Sequence, residues 1–174
     1  LDLGCGPGII GLSVMGRNTA LRGAFCDLPS VLELTRKEVE AAGMGERAEF
    51  YPGDYNQIDF GCGYDCIWAG QSLYFVKDLP AFLKKLLDAL NPGGVFVSLH
   101  EGLLRERTAP EKVVISRLSL ALEGQDVSFE EGHIARLALE AGFASLERRT
   151  INMLFGENEV AILRKSGKLT EGTV

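Results

Sequence analysis

Leu1-Asp2-Leu3-Gly4-Cys5-Gly6-Pro7-Gly8 opens the chain, an apolar-acidic strand end running straight into glycines at three alternate positions. Glycine tolerates positive φ and has no side chain to collide with a ligand, so G-x-G-x-G gives a bare backbone turn into which a cofactor can press. Ile9 to Gly16 reads as the first turns of a helix, whose leading N–H groups lack intrahelical partners and point at whatever fills the turn.

The dinucleotide fingerprint G-x-G-x-x-G needs a third glycine where Ile9 stands, so its match is poor. An acidic residue two before the first glycine, followed by G-x-G-x-G, resembles motif I of class I S-adenosylmethionine (SAM) dependent methyltransferases. A glycine turn by itself also serves to pack a helix closely on a strand, so the rest of the chain has to decide.

At 174 residues the chain is long enough for one domain with a substantial core and too short for two. Its 21 glycines exceed the usual share of about 7%, and the excess sits at predicted strand-to-helix junctions. A net charge of −6 and a pI near 5.0 argue against binding a phosphate backbone, which needs a basic face. No apolar run approaches the ~18 residues of a membrane span and no signal peptide is visible. Cys5, Cys26, Cys62 and Cys66 have no C-x-x-C spacing, so neither a metal site nor a disulfide framework is expected, and reduced cytoplasmic thiols are. Only Leu1 precedes the acidic strand end; a parallel strand should carry more apolar residues there, and the natural protein is expected to begin earlier.

Along the chain, Ala20 to Cys26 reads as a strand ending at Asp27, and Leu28-Pro29-Ser30 starts a helix that Gly43 stops. Ala48 to Tyr51 and Tyr64 to Ala69 read as strands three and four, and Asp78 to Leu90 as a helix. Asn91-Pro92-Gly93-Gly94 turns into the strand Val95 to Leu99. Ala109 to Leu122 reads as a helix forming part of a substrate lid, and Ser128 with Glu131 reads as a capping box opening a helix that closes at Ala141-Gly142-Phe143. Ser145 to Ile151 and Glu159 to Leu163 read as a hairpin through Phe155-Gly156, and 166–174 as a fraying tail. The alternation predicts an α/β fold: a Rossmann-like, doubly wound, seven-stranded and mostly parallel sheet. One strand near the C-terminus is antiparallel, and helices cover both faces. In such sheets ligands sit outside the carboxyl ends of the strands. That rim collects Gly4 and Gly6, Asp27, Asp54, and Gly70 to Tyr74 from four successive loops.

A nucleoside sulfonium needs an acceptor for its ribose diol, an acceptor for its adenine edge and a close backbone for its amino-acid tail. Asp27 suits the first, since an ionised carboxylate accepts two hydroxyl hydrogens. Asp54 suits the second, with Tyr55 or Leu28 flanking the ring. The plainer readings are a helix N-cap for Asp27 and a turn aspartate for Asp54. The expected cofactor-binding set is thus Asp2, Gly4, Gly6, Asp27, Leu28, Asp54, Tyr55 and Gly70, with SAM as cofactor, S-adenosylhomocysteine (SAH) as product and no metal.

Together these residues resemble the SAM-binding domain of the O-methyltransferase family that includes plant caffeate and bacterial polyketide enzymes. The resemblance rests on Leu1 to Gly8, Asp27-Leu28-Pro29-Ser30-Val31, Gly53-Asp54-Tyr55, Leu90-Asn91-Pro92-Gly93-Gly94 and Glu140-Ala141-Gly142-Phe143. It implies methyl transfer to a hydroxyl of a small aromatic or polyketide-like metabolite. It also implies an upstream winged-helix segment, absent here, that makes a homodimer and helps build the substrate site.

The chain departs from that family at the base. The family carries a histidine-aspartate pair after strand four, where Tyr74 and Phe75 stand here. A phenol with a reference pKa near 10 is a poor base at neutral pH. Tyr74 is therefore a candidate catalytic residue or a pocket wall, and His100, with Glu101 beside it, a candidate replacement base or a strand-end histidine that satisfies a loop carbonyl. An acceptor already nucleophilic, such as an acidic phenol, amine or thiol, would need no strong base. His133 reads as surface and Trp68 as core. Two other functions stay open: SAM binding without catalysis in a regulatory or assembly module, and an NAD-dependent oxidoreductase.

Overall fold

The computed structural model describes residues 1–125, 127–153 and 156–167. Strands β1 (Asp2–Leu3), β2 (Gly23–Asp27), β3 (Ala48–Pro52), β4 (Tyr64–Gly70) and β5 (Leu90–Leu103) run parallel in the spatial order β3-β2-β1-β4-β5. The sequence order reverses at β1, so the loops after β1 and β4 diverge at one switch point, where open α/β sheets place their ligands. Beyond β5 the sheet continues with β8 (Gly156–Arg164), antiparallel to β5, and then β7 (Ser145–Met153). The expected single antiparallel strand is β8. The two residues before it, including Phe155 of the expected hairpin, lie outside the described residues, as does 168–174 of the tail.

Side-chain alternation in β2 shows how both faces are covered. Phe25 points into a core with Met15 of α1 (Ile9–Arg17) and Leu32 and Val39 of α2 (Pro29–Ala41), whereas its neighbour Cys26 points into the opposite core. That larger core holds Leu83 and Leu86 of α3 (Leu79–Ala89) with Phe60, Ile67, Phe96 and Leu163 of the sheet side. In α3, Phe82, Leu83, Leu86 and Leu87 form one apolar stripe of helical spacing. Its start is set by Asp78, whose carboxylate accepts the amide of Ala81 at 3.0 Å.

The region after β5 differs from expectation. Helix α4 (Glu111–Leu122) forms as predicted, but Ser128 and Glu131 do not cap the next helix. Phe129–Glu130 forms a short strand, β6, parallel to Gly102–Leu103, and the amide of Glu131 donates to Leu103 at 3.0 Å. Because that pairing claims the backbone, α5 (His133–Ala141) begins later, behind Gly132 in a left-handed conformation. Ser128 accepts from Arg107 instead, and Glu131 pairs with Arg148. Trp68 is half-buried rather than core, facing an open groove beside Leu1 and Tyr64.

Replacing Asp78 by Ala should destabilise the domain by about 1 kcal/mol through loss of the α3 cap, read as a lower urea midpoint at unchanged slope.

Candidate functional site

All three glycines of the opening turn have positive φ (66°, 53° and 80° for Gly4, Gly6 and Gly8), but their surroundings differ. A Cβ on Gly4 would lie 2.5 Å from Cβ of Ser72, and one on Gly8 would lie 2.8 Å from Cγ2 of Thr35. These two glycines allow neighbouring loops to close in. A Cβ on Gly6 would meet nothing within 4 Å, so the middle of the turn presents bare, open backbone.

Asp27, at the end of β2, reaches across to this turn. Its Oδ2 accepts the Gly6 amide at 2.8 Å and its Oδ1 accepts the Leu28 amide at 2.8 Å. It is therefore not the side-chain cap of α2, and each oxygen retains a lone pair for a further donor. From α2, Thr35 donates its hydroxyl to the Gly6 carbonyl at 2.6 Å, a brace hidden in the sequence because a mid-helix threonine carries no signal. Leu28, which follows Asp27, is exposed.

Asp54 sits at the end of β3 on the same rim. It accepts the Asn56 amide at 2.9 Å and the side chains of Asn56 and Gln57, and these donors hold its carboxyl below the usual range. The turn-aspartate reading is thus met. Asn56 extends the link by donating to the carbonyl of Phe75, whose exposed ring marks the rim after β4.

Two residues of the expected cofactor-binding set are buried, with their polar atoms bonded within the fold. Tyr55 is buried against Phe82 and donates to the Ser72 carbonyl at 2.6 Å, and burial pushes its phenol up. Asp2 is buried, accepts the Gly11 amide at 2.9 Å, and has its carboxyl pushed up to about 6, chiefly by desolvation. Its strand alternation turns it toward α1, away from the open turn. Gly70 ends β4 under the Trp68 ring.

On the far side of the switch point the sequence candidates Tyr74 and His100 meet, with ring centroids 5.0 Å apart. Tyr74 stacks on Phe129, and its hydroxyl is bonded to Glu101 and lies 2.8 Å from Oε1 of Gln71. Arg117, from α4, pairs with Glu101 and donates to Gln71 Oε1 at 3.0 Å, while Gln71 Nε2 donates to Asn158 at 2.7 Å. The network joins the loop after β4 to β5, β8 and α4; Arg117 and Asn158 carry no signal in the sequence because their partners lie 16 to 87 residues away. His100 is not disposed as a base: its Nε2 lone pair faces the amides of Ser72 and Leu73 at 3.2 and 3.1 Å. Burial, then the nearby Arg117 charge, lowers its pKa to about 3. His133 is half-buried and stacks on Phe129. Next to the network a cleft of about 390 Å³ opens between α4 and β5, with Leu103, Val114 and Leu118 as apolar walls and Arg117 at its edge.

The edge thus combines an open glycine, a carboxylate with spare acceptor capacity on the adjacent strand, and an apolar cleft beyond β4. A family model described as "Methyltransferase domain" matches residues 1–94. The chain is 27% identical over 150 residues to the S-adenosyl-L-methionine-dependent methyl transferase PigF of a Serratia species, covering 83% of this chain and 43% of that protein. It is 28% identical over 96 residues to an L-tyrosine C(3)-methyltransferase of Streptomyces lavendulae, covering 54% and 26%. Among solved structures, the mitomycin 7-O-methyltransferase MmcR superposes with a TM-score of 0.72 at 26% identity, covering 94% of this chain and 48% of that one. The chain therefore spans less than half the length of these relatives.

Asp2 gives a pH prediction. Its folded pKa of about 6 lies above the unfolded 3.8, so its favourable contribution is full below pH 3.8 and lost as pH rises through 6. Asp2→Asn should gain stability relative to the parent by about 2–3 kcal/mol between pH 4 and 7. A urea-unfolding difference that stays constant over that range would contradict this.

Proposed function

The chain belongs to the methyltransferase domain family, and from that premise we propose that it binds SAM at the β1–β4 switch point. We propose further that it transfers the methyl group to a hydroxyl of a small aromatic or polyketide-like metabolite. The observation that carries the reading is the Asp27–Gly6 bond, which sets a carboxylate with unused lone pairs against an unobstructed glycine backbone.

When bound, SAM supplies an electrophilic methyl group on a sulfonium sulfur. Asp27 would accept the ribose hydroxyls, Gly6 would admit the amino-acid tail, Leu28 would cover one ring face, and Asp54 would accept from the adenine amino group on the lone pairs its turn leaves over. Tyr74 forms a wall of the acceptor side, anchored by Glu101, and Arg117 brings a cation to the edge of the α4 cleft. With the His100 lone pair taken, methyl transfer on this rim relies on in-line approach and on an acceptor acidic enough to ionise by itself. The relatives include both a C- and an O-methyltransferase; the hydroxyl is favoured by the resemblance of Asp27-Leu28-Pro29 to the O-methyltransferase motif.

Among the described residues no helix is long and apolar enough to cross a membrane. The resemblance to the O-methyltransferase family supports a cytoplasmic homodimer acting on a small molecule, and the net charge of −6 speaks against nucleic acid. The second reading, SAM binding without catalysis, is motivated by the same engaged imidazole and by the phenol committed to Glu101.

Calorimetry on the full-length protein should give one SAH per chain. Asp27→Ala should weaken it about 10- to 100-fold through loss of hydrogen bonds to a charged acceptor. Binding of NADH with none of SAM or SAH would overturn the proposal. Methyl transfer to a panel of phenols, amines and thiols separates the catalytic from the non-catalytic reading.

A further inference from the structure

His100 is fully buried, and its two ring nitrogens have opposite situations. Nε2 faces the Ser72 amide at 3.2 Å and the Leu73 amide at 3.1 Å, so it must carry the lone pair. The proton of the neutral ring then sits on Nδ1, which among the described residues has no hydrogen-bond partner. His100 lines a small cavity of about 10 Å³ together with Ser98, Glu101, Phe129, His133, Ile134 and Glu159.

The amides held by Nε2 belong to the loop that grips the glycine turn. Ser72 donates its hydroxyl to Leu3 at 2.9 Å, accepts from Tyr55 through its carbonyl, and lies where a Cβ on Gly4 would collide with it. The next residue but one is Tyr74, which anchors the acceptor side.

We propose that His100 is a positioning residue: as the neutral Nδ1–H tautomer it fixes Ser72 and Leu73, and through them sets the glycine turn on one side and Tyr74 on the other. This rests on the reading of the turn as the SAM site, but the arrangement can be tested without SAM. A charged ring would aim a second N–H at two amide donors and break the loop's anchor. The charged groups around it are Arg117 from α4, Glu101 on its own strand, Glu159 from β8, Glu130 from β6 and His133 from α5; burial and Arg117 both oppose protonation.

Three measurements on the full-length protein test this. The ring ¹⁵N shifts of His100 should show one neutral tautomer, with Nε2 unprotonated, unchanged from pH 5 to 8; a titration in that range overturns the proposal. His100→Phe leaves both amides unpartnered, and their hydrogen exchange should accelerate at least 10-fold. His100→Gln, whose side chain reaches the Nε2 position, should restore protection, while the shorter His100→Asn should not. Amide exchange in His100→Phe equal to the parent's refutes the role, and should that variant not fold, the Gln and Asn pair carries the comparison. SAH affinity should follow the same order, with a loss of about 10-fold in His100→Asn and recovery in His100→Gln. If the parent binds no SAH, the SAM reading falls while the tautomer and exchange results still decide the positioning role.

Discussion

The Cys26 carbonyl accepts the amides of both Gly4 and Cys5, at 2.8 and 3.2 Å, while from the opposite flank Ser72 donates to the carbonyl of Leu3. Between these two grips the turn after β1 has no freedom to drift. Asp27 and Thr35 then hold the amide and carbonyl of Gly6, leaving its α-carbon bare to solvent. The neighbouring loops depend on this arrangement: Ser72 can sit where it does only because Gly4 has no side chain, and Tyr55 packs inward because the Ser72 carbonyl is within reach.

The elements on which the sequence was most readable are those governed by local rules. Alternating glycines, a strand-end aspartate and apolar runs bounded by Gly or Pro specify strands, turns and helix starts without reference to distant residues. The sheet order and the place of Gly4, Gly6 and Asp27 at one edge follow from right-handed crossovers between parallel strands. Asp2 enters the expected cofactor set as the acidic residue of the motif I resemblance, and Tyr55 as the neighbour of Asp54 flanking the adenine ring. Their orientation depends on which core each side chain enters, and that is decided by partners such as Gly11 and Ser72. Ser128 and Glu131 match a capping pattern, yet pairing of Phe129–Glu130 with the end of β5 overrides it. A two-residue strand leaves no periodicity to read.

His100 and Tyr74 illustrate a further limit. Tyr74 lies in the loop after β4, whereas His100 lies within β5, which runs on to Leu103 rather than ending at Leu99, and is buried; spacing alone leaves each of them a possible proton acceptor. What separates the readings is hydrogen-bond direction: an imidazole whose lone pair meets two amides cannot also take a substrate proton, and a phenol bonded to an ion-paired carboxylate is itself a donor. Gln71, Tyr74, Glu101, Arg117 and Asn158 instead form a part-buried polar network beside the rim, with Glu101 and Asn158 at its buried end. Under the proposed methyl transfer, the substrate itself must then be the nucleophile without help from either side chain.

In the proposed complex the nucleoside lies across the glycine turn at the carboxyl edge of β1, β2 and β4. Hydrogen–deuterium exchange of the full-length protein with and without SAH tests this most directly. Protection should rise at 4–8, 27–28 and 71–73 and stay unchanged around the groove at 62–66, on the opposite edge of the sheet. Protection that appears at 62–66 while the glycine turn is unaffected would contradict it.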